Sequence, residues 1–317
     1  MSSVSDALSP EQIGRARAAV ASLCRETPLV PAPALGEDVY LKLESLQRTG
    51  SFKLRGAAAA LALLEAPAVV CASAGNHGQG VALAARHLNK RARVFVSGQA
   101  PAIKRAAIAA LGAEVVVSGA SYDEAERAAR ADAARTGATF VSAFDDPAIW
   151  LGNGVTLGEE LAAQLAARGV ALRRVVVPVG GGGLLVGLLA ALSGRAEIVG
   201  AQPAANCAMA ESLELGRALT VYPGGATACE GLEGPVAERT YLRVRMYSPT
   251  MVRLPEGDIR AAVAFAYRTL GQVVEPSAAV GIAALRTGAL SPRPGTVVVV
   301  TGGNVEPEWL DAALRAR

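Results

Sequence analysis

Four consecutive glycines, at positions 180–183, separate a valine-rich segment from an apolar segment of helical composition. Glycine lets a backbone approach an anion closely, and the first turn of a following helix offers free N–H groups. The pattern predicts a phosphate-binding loop, whereas a plain tight turn would need a single glycine. Leu184 and Leu185 replace the Lys-Ser or Lys-Thr of a P-loop, and Gln202 ends the next predicted strand where a dinucleotide site needs an acidic residue. A phosphate ligand smaller than a nucleotide is therefore favoured.

Lys53 is the candidate for covalent chemistry. Ser51 is predicted to cap a helix that begins at once and runs to Leu64, which places Lys53 in the first turn. The helix dipole disfavours a cation there, and the same field, together with burial, lowers the pKa of an amine. A lowered pKa suits a lysine that forms a Schiff base. The alternative is a solvated lysine, as most lysines are.

Two polar, glycine-containing segments directly follow predicted strands, at 73–80 and 301–304. Ligands of parallel sheets bind at the carboxyl ends of the strands. Ser73 and Asn76, with the free N–H groups of the next helix, are candidates to hold a carboxylate. The alternatives are a helix cap for Asn76, a surface position for His77 and an ordinary turn at 301–304.

The elements that must position these residues alternate along the chain. Ala-rich helical segments alternate with short β-branched runs, which are Val69–Ala72, Arg93–Val96, Glu114–Val117, Thr139–Ser142, Arg174–Pro178, Ile198–Ala201 and Thr296–Val300. This order predicts an α/β fold of two lobes, each with a largely parallel sheet flanked by helices. The expected division is a large domain of residues 1–66 and 145–317 and a small domain of residues 67–144.

Composition and charge exclude several kinds of protein. The net charge is +3 and the charges are scattered, so nucleic acid is not expected as a partner. The four cysteines lie far apart and there are only two histidines, so no metal site is expected. The uncharged stretch 175–192 is interrupted by Pro178 and the glycines, and it predicts a buried strand, loop and helix rather than a membrane span. The polar N-terminus lacks a secretory block, so a cytoplasmic protein is expected.

In this order the segments resemble the fold-type II pyridoxal phosphate (PLP) enzymes, which are tryptophan synthase β-like. They are most similar to the threonine/serine dehydratase and serine racemase family. The matching motifs are SFKLRGA (51–57), SAGNHGQG (73–80), GGGGL (180–184), EPS (275–277) and TGGNV (301–305). They span nearly the whole chain.

The resemblance implies PLP as the cofactor and a role for each matching residue. Lys53 matches the lysine that carries the cofactor and then acts as general base. The implied cofactor contacts are Phe52 and Lys53, Asn76 at the ring hydroxyl, Gly180, Gly181, Gly182, Gly183 and Leu184 at the phosphate, Gly231 through its backbone, and Thr301 at the pyridine nitrogen. Ser73, Ala74, Asn76 and His77 lie in the loop that receives the substrate carboxylate. The family also implies a homodimer.

Two departures from the family pattern narrow the expectation. Racemases of this family have a serine at position 74, which serves as acid and base on the opposite face of the cofactor, whereas alanine cannot transfer a proton. Many relatives bind a divalent cation through acidic residues at the positions of Gln202 and Ala208, so no Mg²⁺ or Ca²⁺ dependence is expected here.

The expected activity is that of a PLP-dependent ammonia-lyase, or dehydratase, which converts L-threonine or L-serine to a 2-oxo acid and ammonia. The segment 230–234 differs from the usual dehydratase pattern, so a lyase for hydroxyaspartate or phenylserine stays open, as does a serine racemase. A regulator that binds PLP or an amino acid without turnover is a further alternative, against which the retained Lys53 argues. The sequence ends soon after Asn304, so no regulatory domain is expected after it.

Overall fold

The computed structural model describes residues 8–316 of the chain, in two sheets flanked by helices. The polar N-terminal residues 1–7, part of the segment that argued against a secretory leader, lie outside the described residues. The strands are β1 (Leu29–Pro31), β2 (Val39–Leu43), β3 (Ala68–Ala72), β4 (Arg91–Val96), β5 (Glu114–Val117), β6 (Thr139–Phe140), β7 (Arg174–Pro178), β8 (Glu197–Pro203), β9 (Thr250–Leu254) and β10 (Thr296–Val300).

Helices connect almost all of these strands. They are α1 (Pro10–Leu23), α2 (Lys53–Leu63), α3 (Asn76–His87), α4 (Ala102–Ala110), α5 (Tyr122–Thr136), α6 (Pro147–Trp150), α7 (Thr156–Ala166), α8 (Gly183–Leu192), α9 (Ala208–Leu215), α10 (Glu238–Arg245), α11 (Glu256–Leu270), α12 (Pro276–Arg286) and α13 (Pro307–Arg315). A π-helical segment, Leu151–Val155, joins α6 to α7. In the described part of the chain, no helix is long and apolar enough to cross a membrane.

The two sheets confirm the predicted α/β architecture. The six-stranded sheet has the order β1-β2-β10-β7-β8-β9, and the four-stranded sheet has the order β5-β4-β3-β6. All pairings are parallel except that of β1 with β2. Strands of the four-stranded sheet come from residues 68–140, and the other sheet is built from residues before and after them. The division into two domains at residues 67 and 144 stays a prediction.

The valine-rich strands are buried on both faces, as the uninterrupted apolar runs predict. In β7, Val175 and Val177 pack into the core that also includes α2 and α8, whereas Val176 packs into the core of α11 and α12. Successive side chains of a strand point to opposite faces, so one valine run serves two layers. The carboxyl ends of β10 and β7, where the site residues begin, are therefore held between helices on both sides.

Two local predictions have opposite outcomes. The Ser9 capping box is confirmed, because the Ser9 side chain accepts from the Gln12 N–H and the Gln12 side chain accepts from the Ser9 N–H. The predicted Ser51 cap is wrong. Phe52 is the N-cap of α2 with helical dihedrals and without a side-chain cap bond, while Ser51 forms a bridge with Gly302. A tertiary strand-like contact there takes precedence over local capping.

Three strands, β1, β2 and β9, were not predicted. Their sequences contain residues that argue against a covered strand, such as Pro31 in β1 and Lys42 in β2. The Lys42 side chain is nevertheless fully buried, because its ammonium group pairs with Glu160 at 2.5 Å. The ion pair, which joins residues far apart in the sequence, makes that burial tolerable.

A buried ion network anchors α2 on the larger sheet. The Arg55 guanidinium donates to both carboxylate oxygens of Glu44 at 2.8 Å and to both oxygens of Glu160 at 2.9 Å. Arg55 and Glu44 are both excluded from solvent. Since Lys53 precedes Arg55 by two residues, this network fixes the position of the first turn of α2.

Candidate active site

Lys53 lies in the first turn of α2, as predicted, and its amine points into the space between the two sheets. The Nζ atom donates to the backbone oxygen of Ala143 at 3.0 Å and lies 5.2 Å from the centroid of the Phe52 ring. Burial lowers the pKa of Lys53 to about 8, against the opposing effect of the nearby Glu275 carboxylate. A larger fraction of the amine is therefore in its neutral, nucleophilic form near neutral pH than for an ordinary lysine.

Helix α3 packs directly on the backbone of Lys53 because Gly80 has no side chain. A Cβ atom at position 80 would lie 3.1 Å from the carbonyl carbon and oxygen of Lys53. This close approach brings the segment 73–80 beside the lysine. The backbone N–H groups of Asn76, His77 and Gly78 at the start of α3 have no acceptor within the described residues, and Ser73 accepts from the Gly75 N–H at 3.2 Å. The segment therefore presents open donors for an anion.

His77 is buried and not at the surface, so the surface alternative is wrong. Its Nε2 atom bonds the Val141 oxygen at 3.1 Å. Burial, together with the charge of Lys53, lowers the pKa of His77 to about 3. A neutral ring that donates to a carbonyl cannot supply positive charge to a carboxylate, so only the backbone N–H of His77 is open to an anion.

Asn76 is the first residue of α3, and Gly75 occupies the cap position. The alternative assignment of Asn76 as a helix cap is therefore wrong. Its side chain instead spans the gap to the other part of the molecule. The Nδ2 atom donates to the two carboxylate oxygens of Glu275 at 2.9 and 3.1 Å, and the Oδ1 atom accepts from Asn304 at 2.7 Å.

The glycine run forms an open cradle at the start of α8. Gly182 has a φ of 88°, which favours glycine, and the backbone N–H groups from Gly180 to Leu185 have no acceptor in the part of the chain that the structure describes. Gly181 and Gly183 pack so tightly on Phe144 that a Cβ at either position would lie 2.5 Å from it. Phe144 follows Ala143, the hydrogen-bond partner of Lys53, so the cradle and the amine are neighbours.

The remaining predicted residues surround the same space. Thr301 is buried and accepts from the Phe52 N–H at 3.0 Å through its backbone oxygen, and its side-chain hydroxyl has no partner within residues 8–316. The Gly231 N–H donates to the Ser277 hydroxyl at 3.0 Å, and a Cβ at position 180 would lie 3.1 Å from the Gly231 oxygen. Ala74 is partly buried beside Ser73, and Leu184 is buried in the core below the cradle.

Three residues of the site had no role predicted from the sequence. Glu275 was quoted as part of the motif EPS and Asn304 as part of TGGNV, but neither was given a role. Ala143, which holds the Lys53 amine through its backbone, has no sequence signal because a carbonyl oxygen is common to every residue. The signal for Glu275 was a glutamate directly before the helix-starting Pro276, at a cap position where Ser, Thr, Asp or Asn is usual. Its side chain makes no cap bond.

At the segment around Gln202, where no divalent cation was expected, the Gln202 side-chain amide links two backbone groups. Gln202 is buried, donates to the Val179 oxygen at 2.9 Å and accepts from the Ala210 N–H at 2.9 Å. No group of three His, Cys, Asp or Glu side chains among the described residues is placed to hold a metal ion.

Three features of the site fit the three reactive parts of PLP. The amine with a lowered pKa suits the aldehyde, and the glycine cradle of free N–H groups suits the phosphate. The free hydroxyl at a strand end suits the pyridine nitrogen. This fold and site define a fold-type II PLP enzyme. The chain belongs to the family of pyridoxal-phosphate dependent enzymes, whose family model matches residues 20–302.

Individual relatives agree with this assignment. The biosynthetic L-threonine dehydratase of Corynebacterium glutamicum is 36% identical over 96% of this chain and 73% of its own length. The structure of the processed form of threonine deaminase isoform 2 from Solanum lycopersicum has a TM-score of 0.86 and 31% identity, covering 96% of this chain and 86% of that one. Maize serine racemase has a TM-score of 0.87 and 27% identity, with 96% of each chain covered. The predicted family, fold type, cofactor and enzymatic nature are confirmed.

Proposed function

We propose that this enzyme is an ammonia-lyase that removes water and ammonia from L-threonine or L-serine and leaves a 2-oxo acid. The observation that carries the proposal is a buried amine, that of Lys53, beside a phosphate cradle, in a chain similar to threonine dehydratases over nearly its whole length. PLP, when bound, withdraws electrons from the substrate Cα and so weakens its C–H bond.

The residues of the site divide the work among them. We assign the phosphate of PLP to the N–H groups of Gly180, Gly181, Gly182, Gly183 and Leu184, the ring hydroxyl to Asn76 and the pyridine nitrogen to Thr301, with Phe52 and the Gly231 backbone beside the ring. Thr301 offers a neutral hydroxyl, which does not stabilise a protonated pyridine as a carboxylate would. Prompt loss of the β-substituent is thereby favoured over prolonged stabilisation of negative charge at Cα.

Lys53 has two roles in the proposal, as the covalent anchor of the cofactor and as the base that takes the Cα proton of the substrate. A base is most effective when its pKa lies near the working pH, and the lowered pKa of Lys53 meets that condition. The substrate carboxylate is assigned to the open N–H groups of Asn76, His77 and Gly78, with the Ser73 hydroxyl beside them.

Racemisation is the second candidate, favoured by the similarity to maize serine racemase. It needs a proton donor on the face opposite Lys53, and Ala74 carries none. We therefore place elimination first. A homodimer in the cytoplasm that needs no divalent cation completes the proposal, as the family resemblance and the Gln202 amide suggest.

The test is a substrate panel with the PLP-loaded enzyme. L-Threonine, L-serine, D-serine, hydroxyaspartate and phenylserine are each assayed for 2-oxo acid and for the opposite enantiomer. We expect 2-oxo acid from L-threonine or L-serine. Turnover confined to hydroxyaspartate or phenylserine, or enantiomer without 2-oxo acid, would replace the proposed substrate or reaction.

Lys53→Ala should lower 2-oxo acid formation on the order of 10²–10⁴-fold or more and remove the absorbance of the lysine-bound cofactor. Borohydride reduction followed by peptide mass spectrometry should label the peptide containing Lys53 in the wild type and in the control variant, and not in Lys53→Ala. Lys90→Met is the control, because Lys90 donates to the backbone oxygens of Leu64 and Ala66, away from the site. Retained turnover in Lys53→Ala would refute the role of this lysine.

A further inference from the structure

The side chains of Asn304, Asn76 and Glu275 form a hydrogen-bonded chain whose direction is fixed at both ends. Asn304 donates through Nδ2 to the backbone oxygen of Thr49 at 2.8 Å and to Asn76 Oδ1 at 2.7 Å. A carbonyl oxygen only accepts, so the orientation of the Asn304 amide is set. Asn76 must then accept through Oδ1, which leaves its Nδ2 to face the Glu275 carboxylate. The Asn76 amide has no alternative orientation that keeps these bonds.

In this arrangement, one of the two N–H groups of the Asn76 side-chain amide has no acceptor among the described residues. The two Glu275 oxygens lie side by side as seen from Nδ2, so a single N–H between them serves both. The two hydrogens of an amide point about 120° apart, and the second one has no acceptor within residues 8–316. A donor of fixed direction is thus presented by the helix that packs on the backbone of Lys53.

Glu275 is placed for this task rather than for helix capping. It stands at the N-cap of α12 but makes no cap bond, and its carboxylate lies so close to Gly302 that a Cβ there would be 2.4 Å from Oε1. Burial raises the pKa of Glu275 to about 7, with Glu230 acting in the same direction, while the Asn76 hydrogen bond and the charges of Lys104 and Lys53 act against it. A buried carboxylate without an ion-pair partner in direct contact is costly, so its retention calls for a purpose.

We propose that Glu275 is a positioning residue, which orients the Asn76 amide so that its free N–H meets the ring hydroxyl oxygen of PLP. The proposal rests on the cofactor site described under the proposed function. Without the carboxylate, Asn76 loses the acceptor that holds its Nδ2, and the amide can rotate away from the cofactor.

The test is a double-mutant cycle on the affinity of the apoenzyme for PLP, measured by titration of the lysine-bound absorbance at pH 8. Glu275→Ala and Asn76→Ala should each raise the dissociation constant about tenfold, the loss of one hydrogen bond to a charged or oriented group. Because Glu275 acts through Asn76, the double variant should bind no more weakly than Asn76→Ala alone. Glu306→Ala, which removes a neighbouring carboxylate that does not touch Asn76, should bind PLP as the wild type does.

Glu275→Gln keeps the shape and one acceptor, so it should fold and bind PLP only about two- to fivefold more weakly at pH 8. It also gives a second readout. In the wild type, part of the affinity should be lost as pH falls through about 7 and Glu275 becomes protonated. That part should be missing from the pH profile of Glu275→Gln.

The outcomes separate the inference from the proposed site. Wild-type affinity in Glu275→Ala, independent effects that multiply to about 100-fold in the double variant, or an unchanged pH profile in Glu275→Gln would each overturn the positioning role while the lysine site stands. A wild-type protein that shows no lysine-bound cofactor would remove both.

Discussion

At the scale of single residues, the site depends on a few groups whose properties come from their surroundings rather than from their types. Lys53 was predicted from its place in a helix start, and the structure adds the burial that lowers the pKa of its amine and the Ala143 oxygen that holds the amine in place. Glu275 could not be assigned from the sequence, because its partner Asn76 lies 199 positions away. Contacts between distant segments are the part of a site that local patterns cannot predict.

Ala74 is the residue that should decide between elimination and racemisation. Ala74→Ser places a hydroxyl beside Ser73, and we expect racemase activity to rise by up to about 10²-fold, the usual contribution of a positioned acid or base. The measurement is the rate of D-serine formation from L-serine, resolved by chiral chromatography, alongside 2-oxo acid.

The control is Ala74→Gly, which alters size without adding a proton donor and should give no gain in D-serine. If Ala74→Ser forms no more D-serine than the wild type, the opposite face is blocked by features other than the missing hydroxyl.

At the scale of elements, the sequence was most informative where helices and strands are regular. The buried strands β7 and β10 follow from uninterrupted valine runs, and the start of α1 follows from its capping box. The start of α2 was misjudged, because Ser51 pairs with Gly302 and Arg55 is held by carboxylates from the end of β2 and from α7. Tertiary bonds position the start of α2, so its local sequence is correspondingly less predictive.

The Arg55 network gives a prediction for α2. Arg55→Met leaves the buried Glu44 without its counter-charge and Glu160 with Lys42 alone, and we expect the free energy of unfolding to fall by roughly 3–5 kcal/mol. Urea unfolding of the PLP-loaded enzyme at pH 7 measures this difference. Arg17→Met breaks an exposed pair with Glu159 and should cost no more than about 1 kcal/mol.

The stabilities of the wild type and of Arg55→Met should also depend differently on pH. Burial alone would raise the pKa of Glu160, but the hydrogen bonds and charges of Arg55 and Lys42 hold it below its ordinary value. A lowered carboxyl pKa contributes stability above the unfolded pKa of about 4.3, and this is lost as pH falls through the folded value. The stability difference between wild type and Arg55→Met should therefore narrow on acidification below about pH 4. A constant difference at every pH would mean that packing, not charge, accounts for the loss.

At the scale of the whole molecule, the site lies where two sheets meet, and side chains from both sides cross the gap. Asn76, which follows β3 of the four-stranded sheet, contacts Glu275 and Asn304 near the end of β10. Lys104 of α4 crosses beside it, with its ammonium group 2.7 Å from Glu230 and 3.2 Å from Glu306. The alternating pattern predicted two largely parallel sheets but missed three strands of the larger one. Nothing in the sequence indicates which charges face each other across the gap.

The Lys104 bridge should restrain the opening of this gap without contributing much to folding. Burial alone would lower the pKa of Lys104, but Glu230 and Glu306 raise it, so the ammonium group stays charged at neutral pH. Both carboxylates are exposed, so Lys104→Met should change the unfolding free energy by less than about 1 kcal/mol. If the bridge holds the gap closed with up to this free energy, its loss should make local opening of the gap up to about fivefold more frequent.

Hydrogen–deuterium exchange followed by mass spectrometry measures that opening directly. In Lys104→Met we expect faster exchange in α4 and in the segments that carry Glu230 and Glu306, with the rest of the protein unchanged. Arg130→Met is the matched control, since Arg130 pairs with Glu126 within α5 and does not cross the gap.

High salt should reproduce the faster exchange in the wild type and add little in Lys104→Met, because screening removes the same attraction. Equal exchange in all three proteins at low salt would show that the two sheets are held together by the apolar core and the Asn76 contacts alone.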